Sequence, residues 1–158
     1  MSDLVRVAVD AMGGDYAPVE PVKGAVEAVN ADERVKVQLV GQVDVIEKEL
    51  QKYTYPKERV EIVPATEIIE TGEPPVNAIR HKKDSSIVVG MKKVRYGEAD
   101  AFVSSGSTGA VLVGGQTIVG RIKGVERPPL APLIPTKDGV SLPVSYTHLR
   151  AHETRHDL

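Results

Sequence analysis

Three short β-branched runs fix what this 158-residue chain can become. Val5-Arg6-Val7-Ala8-Val9, Val35 to Val40 and Val60-Glu61-Ile62-Val63 read as strands, and the stretches between them carry apolar residues at helical spacing. Pro18 to Asn30 sets Val22, Ala25, Val26 and Val29 on one helical face, and Val43, Ile46 and Leu50 do the same for a second helix. Strands alternating with helices at this rhythm imply parallel pairing, so the expected fold is α/β with a doubly wound, mostly parallel sheet. A composition of 41% hydrophobic and 27% charged residues supplies the core that such a domain needs.

The stretch with the most chemistry is Asp100 to Ala110, with the apolar run Val111 to Val119 behind it. It reads as a buried strand, a tight loop and then a helix. The loop Ser104-Ser105-Gly106-Ser107-Thr108-Gly109 combines four hydroxyls with two glycines. Such a turn can aim backbone N–H groups at a phosphate without any lysine. The alternative is that Ser107 or Thr108 only caps the helix. Asp10 stands at the carboxyl end of the first strand, followed by the turn Ala11-Met12-Gly13-Gly14-Asp15. Ligands of open α/β sheets bind outside strand carboxyl ends, which places Asp10, Gly13 and Gly14 to face one; a plain turn is the alternative.

Ala65 to Pro75 interrupts the rhythm with Glu67, Glu70, Glu73 and Pro74-Pro75, as a lid or a solvated connection. Arg80, Lys82 and Lys83 follow, and Asp84 or Ser85 is expected to start a helix carrying Ile87, Val88, Met91 and Val94. Lys82 or Lys83 could give charge to an anion near Ser85 and Ser86, or the cluster is a charged surface turn. Tyr96-Gly97-Glu98 then delivers the chain to a central strand, and Leu130 to Ile134 reads as a further one.

Several classes are disfavoured. A net charge of −2 offers no basic face for nucleic acid. With no cysteine and no secretory h-region, a cytoplasmic protein is expected, and thiol nucleophiles and thiolate metal sites are excluded from this chain. Ala101 to Gly120 has no charged residue, yet its glycines, hydroxyls and Gln116 make it too polar to cross a bilayer. There is no GxxxxGK[ST] run and no GxGxxG after the first strand.

Asp10-Ala11-Met12-Gly13-Gly14-Asp15 with Ala17-Pro18, then Arg80 and Lys82-Lys83-Asp84-Ser85-Ser86, then Ala99-Asp100-Ala101-Phe102-Val103-Ser104 running into Gly106-Ser107-Thr108-Gly109-Ala110, resemble the PlsX family. Gly120 to Pro128 and Leu133 to Thr136 extend the match, which covers Val5 to about Leu142. The resemblance implies a fold of the isocitrate/isopropylmalate dehydrogenase and phosphate acetyltransferase type. It implies a phosphate acyltransferase that moves a fatty acyl group from acyl carrier protein to inorganic phosphate, in phospholipid biosynthesis. It implies no cofactor, a homodimer at the cytoplasmic face of the membrane, and a downstream membrane glycerol-3-phosphate acyltransferase as partner. On this resemblance Ser104, Ser107, Thr108, Gly106 and Gly109 hold phosphate, Lys83 is a charge partner and Asp10 an orienting group; Gly13, Gly14 and Ser85 complete the candidate set. Arg121, Lys123 and Arg127 are candidates to meet the acidic carrier protein, or form a solvated loop.

Family members are about twice this length or more, so residues 1–142 are expected to be the N-terminal portion of the acyltransferase domain. Residues 143–158 read as a non-native tail. Its His148, His152 and His156 recur every four residues, a spacing that would suit a metal on a helix, but the tail reading assigns them no function. A truncated parallel sheet exposes an edge, so the isolated chain is expected to be poorly stable and inactive. The competing readings are a non-catalytic phosphate-binding module and a nicotinamide-dependent dehydrogenase of the same fold type.

Overall fold

A computed structural model describes residues 4–125, 134–137 and 139–141. The chain divides into two compact units, residues 1–120 and 121–158.

The first unit runs β1 (Val5–Asp10), α1 (Val19–Ala31), β2 (Val35–Gly41), α2 (Val43–Leu50), β3 (Val60–Pro64), α3 (Pro75–His81), α4 (Ser86–Arg95), β4 (Ala101–Val103) and α5 (Thr108–Gly114). Its four strands are all parallel, in the order β3-β2-β1-β4. Valine-rich strands suit a sheet covered on both faces, because each residue then meets an apolar layer whichever way it points. Val9, Val37 and Leu39 pack beneath α1 and α2 with Val22, Val26, Val29, Ile46 and Leu50. On the opposite face Ala8, Val40 and Val63 meet Val89 and Val94 of α4. Burying one side chain such as Leu39 or Ile46 contributes roughly 2 kcal/mol. The α/β, doubly wound expectation therefore holds.

Helix starts follow local chemistry. Ser85 caps α4: its hydroxyl accepts from the Val88 N–H at 3.3 Å and donates to the Lys82 carbonyl at 2.9 Å. Of the two residues proposed to start this helix, Ser85 is the cap. Asp84 instead ties back the 65–75 connection, accepting from the Thr66 hydroxyl at 2.5 Å, and this bond holds its carboxyl below the usual range. The α3 helix was not foreseen; Pro75 at its first turn, with Ala78 and Ile79 buried, is the sequence signal for it.

The strand entering the hydroxyl-rich loop differs from expectation. The sequence pattern implies a buried, central strand, but β4 lies at the edge of the sheet, and Val103 is 52% exposed. Phe102 packs toward α4, whereas the face carrying Ala101 and Val103 has no helix over it among the described residues. The apolar run is real, and among the described residues no layer covers its second side. Behind the loop, α5 continues into a π-helical turn at residues 115–119, together spanning the helix expected there.

In the second unit, β5 (Ile134–Thr136) and β6 (Gly139–Ser141) form an antiparallel hairpin. Ile134 opens β5, while the rest of the strand expected from Leu130 lies outside the described residues, as do Arg127 and the tail histidines.

Candidate functional site

The chain builds β1, β2 and β3 in one direction from the middle of the sheet, with α1 and α2 on one face. It then crosses by α3 and α4 on the other face and adds β4 on the opposite side of β1. The strand order reverses between β1 and β4, the point beside the strand carboxyl ends where open α/β sheets bind their ligands. Asp10 closes β1 and Ser104 follows β4, so the two residues meet there.

Asp10 is 1% exposed and fully engaged. Its Oδ2 accepts from the Ser104 hydroxyl at 2.7 Å, and its Oδ1 accepts from the Met12 N–H at 3.1 Å. Ser104 Oγ in turn accepts from the Gly106 N–H at 3.0 Å. One carboxylate thereby ties the turn after β1 to the loop after β4. The approach leaves no room for side chains: a Cβ on Gly13 would run into the Asp10 carboxylate and sit 2.9 Å from the Gly106 nitrogen. Gly14 has φ of +100°, a backbone conformation that disfavours side chains, and it lies against Ser105.

Among the described residues, no hydrogen bond takes the N–H groups of Gly13, Gly14, Ser105 or Ser107. Unpaired amides on adjoining glycine-rich turns form a concavity suited to an anion. Ser107 itself is buried and caps α5, its hydroxyl accepting from the Ala110 N–H at 3.3 Å. Thr108 is the first residue of α5. Gly109 is pressed on Pro75, where an added Cβ would lie 2.6 Å from the proline Cγ. The 65–75 connection thus braces the loop. That connection is itself fixed by Lys82, which donates to the Ile68 carbonyl at 2.6 Å and pairs with Glu73 at 2.5 Å.

The structure brings Asp10, Gly13, Gly14, Ser104, Ser105 and Gly106 together, with Ser107, Thr108 and Gly109 continuing the same loop. Ser85 stands apart as a fully buried helix cap with both hydroxyl functions used inside the protein. The Lys83 ammonium lies 3.4 Å from the Ile79 carbonyl, and among the described residues it makes no bond to the 104–109 loop. Ser105 was not singled out; its contact with Gly14 depends on the β1–β4 pairing, which no local pattern reveals. No group of three or more potential metal ligands occurs among the described residues. No helix there is long and apolar enough to cross a membrane.

On the α1 face a 460 Å³ groove between α1 and β4 is lined by Val7, Gly24, Ala28 and Val103, and at its end by Asp10, Ser104 and Ser105 of the joint.

Residues 5–145 match the model of a family described as fatty acid synthesis protein. The chain belongs to that family. It is the family that the motif blocks resemble, and its members include proteins named phosphate acyltransferase. The fatty acid synthesis relative from Alkaliphilus oremlandii, a phosphate acyltransferase, is 51% identical over 87% of this chain and 41% of its own length. Those of Clostridium kluyveri and Halothermothrix orenii are 50% and 44% identical. The chain therefore spans about two-fifths of the length of these family members. Among solved structures, a phosphotransacetylase from Streptococcus pyogenes superposes with a TM-score of 0.57 at 15% identity, over 82% of this chain and 43% of that one. That likeness establishes a shared fold.

Proposed function

We propose that this chain carries the phosphate-binding part of an enzyme that transfers a fatty acyl group from acyl carrier protein to inorganic phosphate, feeding phospholipid synthesis. The observation that carries the reading is the joint at the switch point: Asp10 bonded to Ser104, with the free amides of Gly13, Gly14, Ser105 and Ser107 around it. Membership of a family whose relatives are named phosphate acyltransferase supports it.

In the reaction, a phosphate oxygen attacks the thioester carbonyl carbon. The carbon–sulfur bond breaks, the carrier thiolate leaves, and the proton lost by hydrogen phosphate ends on that sulfur. No covalent enzyme intermediate is needed, so the protein must hold phosphate and aim it. Backbone N–H groups do this without reorganising, and both Asp10 oxygens are already engaged by the Ser104 hydroxyl and the Met12 N–H, so Asp10 acts on the loops rather than on phosphate. Asp10 orients the loops and Ser104 relays that order to Gly106. Thr108 and Gly109 extend the cradle, and Lys83 would reach it only by leaving the Ile79 carbonyl.

The test uses a full-length chimera: residues up to Leu142 of this chain followed by the remainder of the A. oremlandii relative. Release of carrier thiol from acyl carrier protein should depend on phosphate. Ser107→Ala with Thr108→Ala should raise the phosphate KM or lower turnover. A folded double variant with both constants unchanged would show that phosphate binds elsewhere.

A further inference from the structure

Residues 75–95 carry Arg80, Lys82, Lys83, Lys92, Lys93 and Arg95 against a single acid, Asp84, in a chain whose net charge is −2. Helix α4 has no acidic residue, and its cations crowd into its last turn. Part of this charge is cancelled, since Lys82 pairs with Glu73 and Lys93 with Glu98. Asp84 feels Lys92 but spends its carboxylate on the Thr66 hydroxyl and N–H. Lys83, Lys92 and Arg95 are held differently. The Lys83 ammonium donates to the Ile79 carbonyl at 3.4 Å, that of Lys92 to the Lys83 carbonyl at 3.3 Å, and the Arg95 guanidinium to the Val119 carbonyl at 3.2 Å. Among the described residues none of the three forms an ion pair. Neutral carbonyls therefore fix these side chains in place and leave their charge to act outward.

The three cations make a stripe with a direction. Lys83 lies at the carboxyl edge of the sheet, where the adjoining Asp84 carbonyl accepts from the Thr66 and Glu67 N–H groups just beyond β3. Lys92 reaches back to Lys83, and Arg95 follows three residues later on the same flank of α4. The apolar residues of this helix, Ile87, Val88 and Met91, are buried, so the stripe presents charge without an apolar side. We infer that this stripe docks the protein that delivers the acyl group. The inference rests on the proposed function, in which the donor is the acidic acyl carrier protein, whose charge is complementary. A lipid surface would attract the same cations, but α4 has turned its apolar residues inward and keeps none to insert. A carrier lying along α4 reaches, at Lys83, the same edge of the sheet as Asp10 and Ser104, where the thioester must meet phosphate.

The experiment is binding of fluorescently labelled acyl carrier protein to the full-length chimera, followed by anisotropy at low and high salt. Lys92→Glu with Arg95→Glu should weaken binding at least about tenfold at low salt, and the difference should shrink to under about twofold at roughly 0.5 M salt, as screened charges require. Lys48→Glu with Lys57→Glu changes the charge equally at exposed sites elsewhere and should leave the affinity within about twofold of the parent. Lys92→Gln with Arg95→Gln should show a smaller loss in the same direction, and it decides the matter if the reversed pair fails to fold. The inference fails if the folded stripe variants bind as the parent does, if the control pair weakens binding as much, or if the carrier binds neither parent nor variant. Loss of binding to vesicles containing anionic phospholipid, with carrier affinity retained, assigns the stripe to a membrane and overturns the inference. The readout needs no turnover. A chimera that binds the carrier through Lys92 and Arg95 but releases no thiol with phosphate sustains the docking face and overturns the proposed function; phosphate-dependent release with carrier binding unaltered in the variants overturns the docking face alone.

Discussion

Gly13 concentrates more constraint than any other single residue of the joint. A methyl group there collides with the Asp10 carboxylate and crowds the Gly106 nitrogen, so it must open the joint. In the full-length chimera, Gly13→Ala is expected to lower phosphate-dependent turnover by about 10²-fold, the cost of misplacing one preorganised donor set. Steady-state thiol release, with circular dichroism to confirm the fold, checks this. Ser104→Ala removes the donor to Asp10 and the acceptor for Gly106 together. It should destabilise the protein by about 1–3 kcal/mol, because a buried carboxylate loses a partner; urea denaturation measures it. Asp10, Gly13, Gly14, Ser104 and Gly106 were legible in the sequence because strand ends and glycine turns leave local signatures. Lys83 and Ser85 show the limit: a cation or a hydroxyl beside a motif has no sequence mark saying whether it faces a ligand or the Ile79 and Lys82 carbonyls.

Among the elements, α4 sets the position of β4. Phe102 lies on Gly90, and a Cβ on that glycine would come 2.7 Å from the ring's Cδ2. Gly90→Val should therefore cost about 1–3 kcal/mol by overpacking, and it should weaken phosphate binding as β4 shifts under Ser104. Phosphate titration by calorimetry beside thermal melts would reveal both. Helices α1, α2 and α4 and the first three strands were readable because each repeats its apolar residues at its own period. The place of β4 at the edge was not. Ala101-Phe102-Val103 is apolar whether two faces are covered or one, and only the strand order distinguishes them. Helix α3 was hidden by length, since seven residues hold too few periods to recognise.

For the molecule as a whole, carboxylates paired on the surface add a modest, solvent-screened contribution to its response to acid. Asp100 is held below the usual carboxylate range by its hydrogen bonds from Arg6, and Glu73 by its bond from Lys82. Asp32, bonded to Arg34, falls from 3.8 to about 2. A depressed carboxyl stabilises the fold above its unfolded value and loses that contribution as pH falls through its folded one. Stability should thus hold down to roughly pH 4 and decline toward about pH 2, with Asp32→Asn flattening the decline. Urea midpoints across that window test it. The bond between Asp10 and Ser104 closes a span of 94 residues. Contacts so distant in sequence form late, because the intervening chain must first be ordered. During synthesis β1, α1, β2, α2 and β3 can associate while Asp10 still lacks its partner. The joint proposed to hold phosphate therefore forms only once β4 has docked, and phosphate bound to that arrangement alone would stabilise it and report its completion.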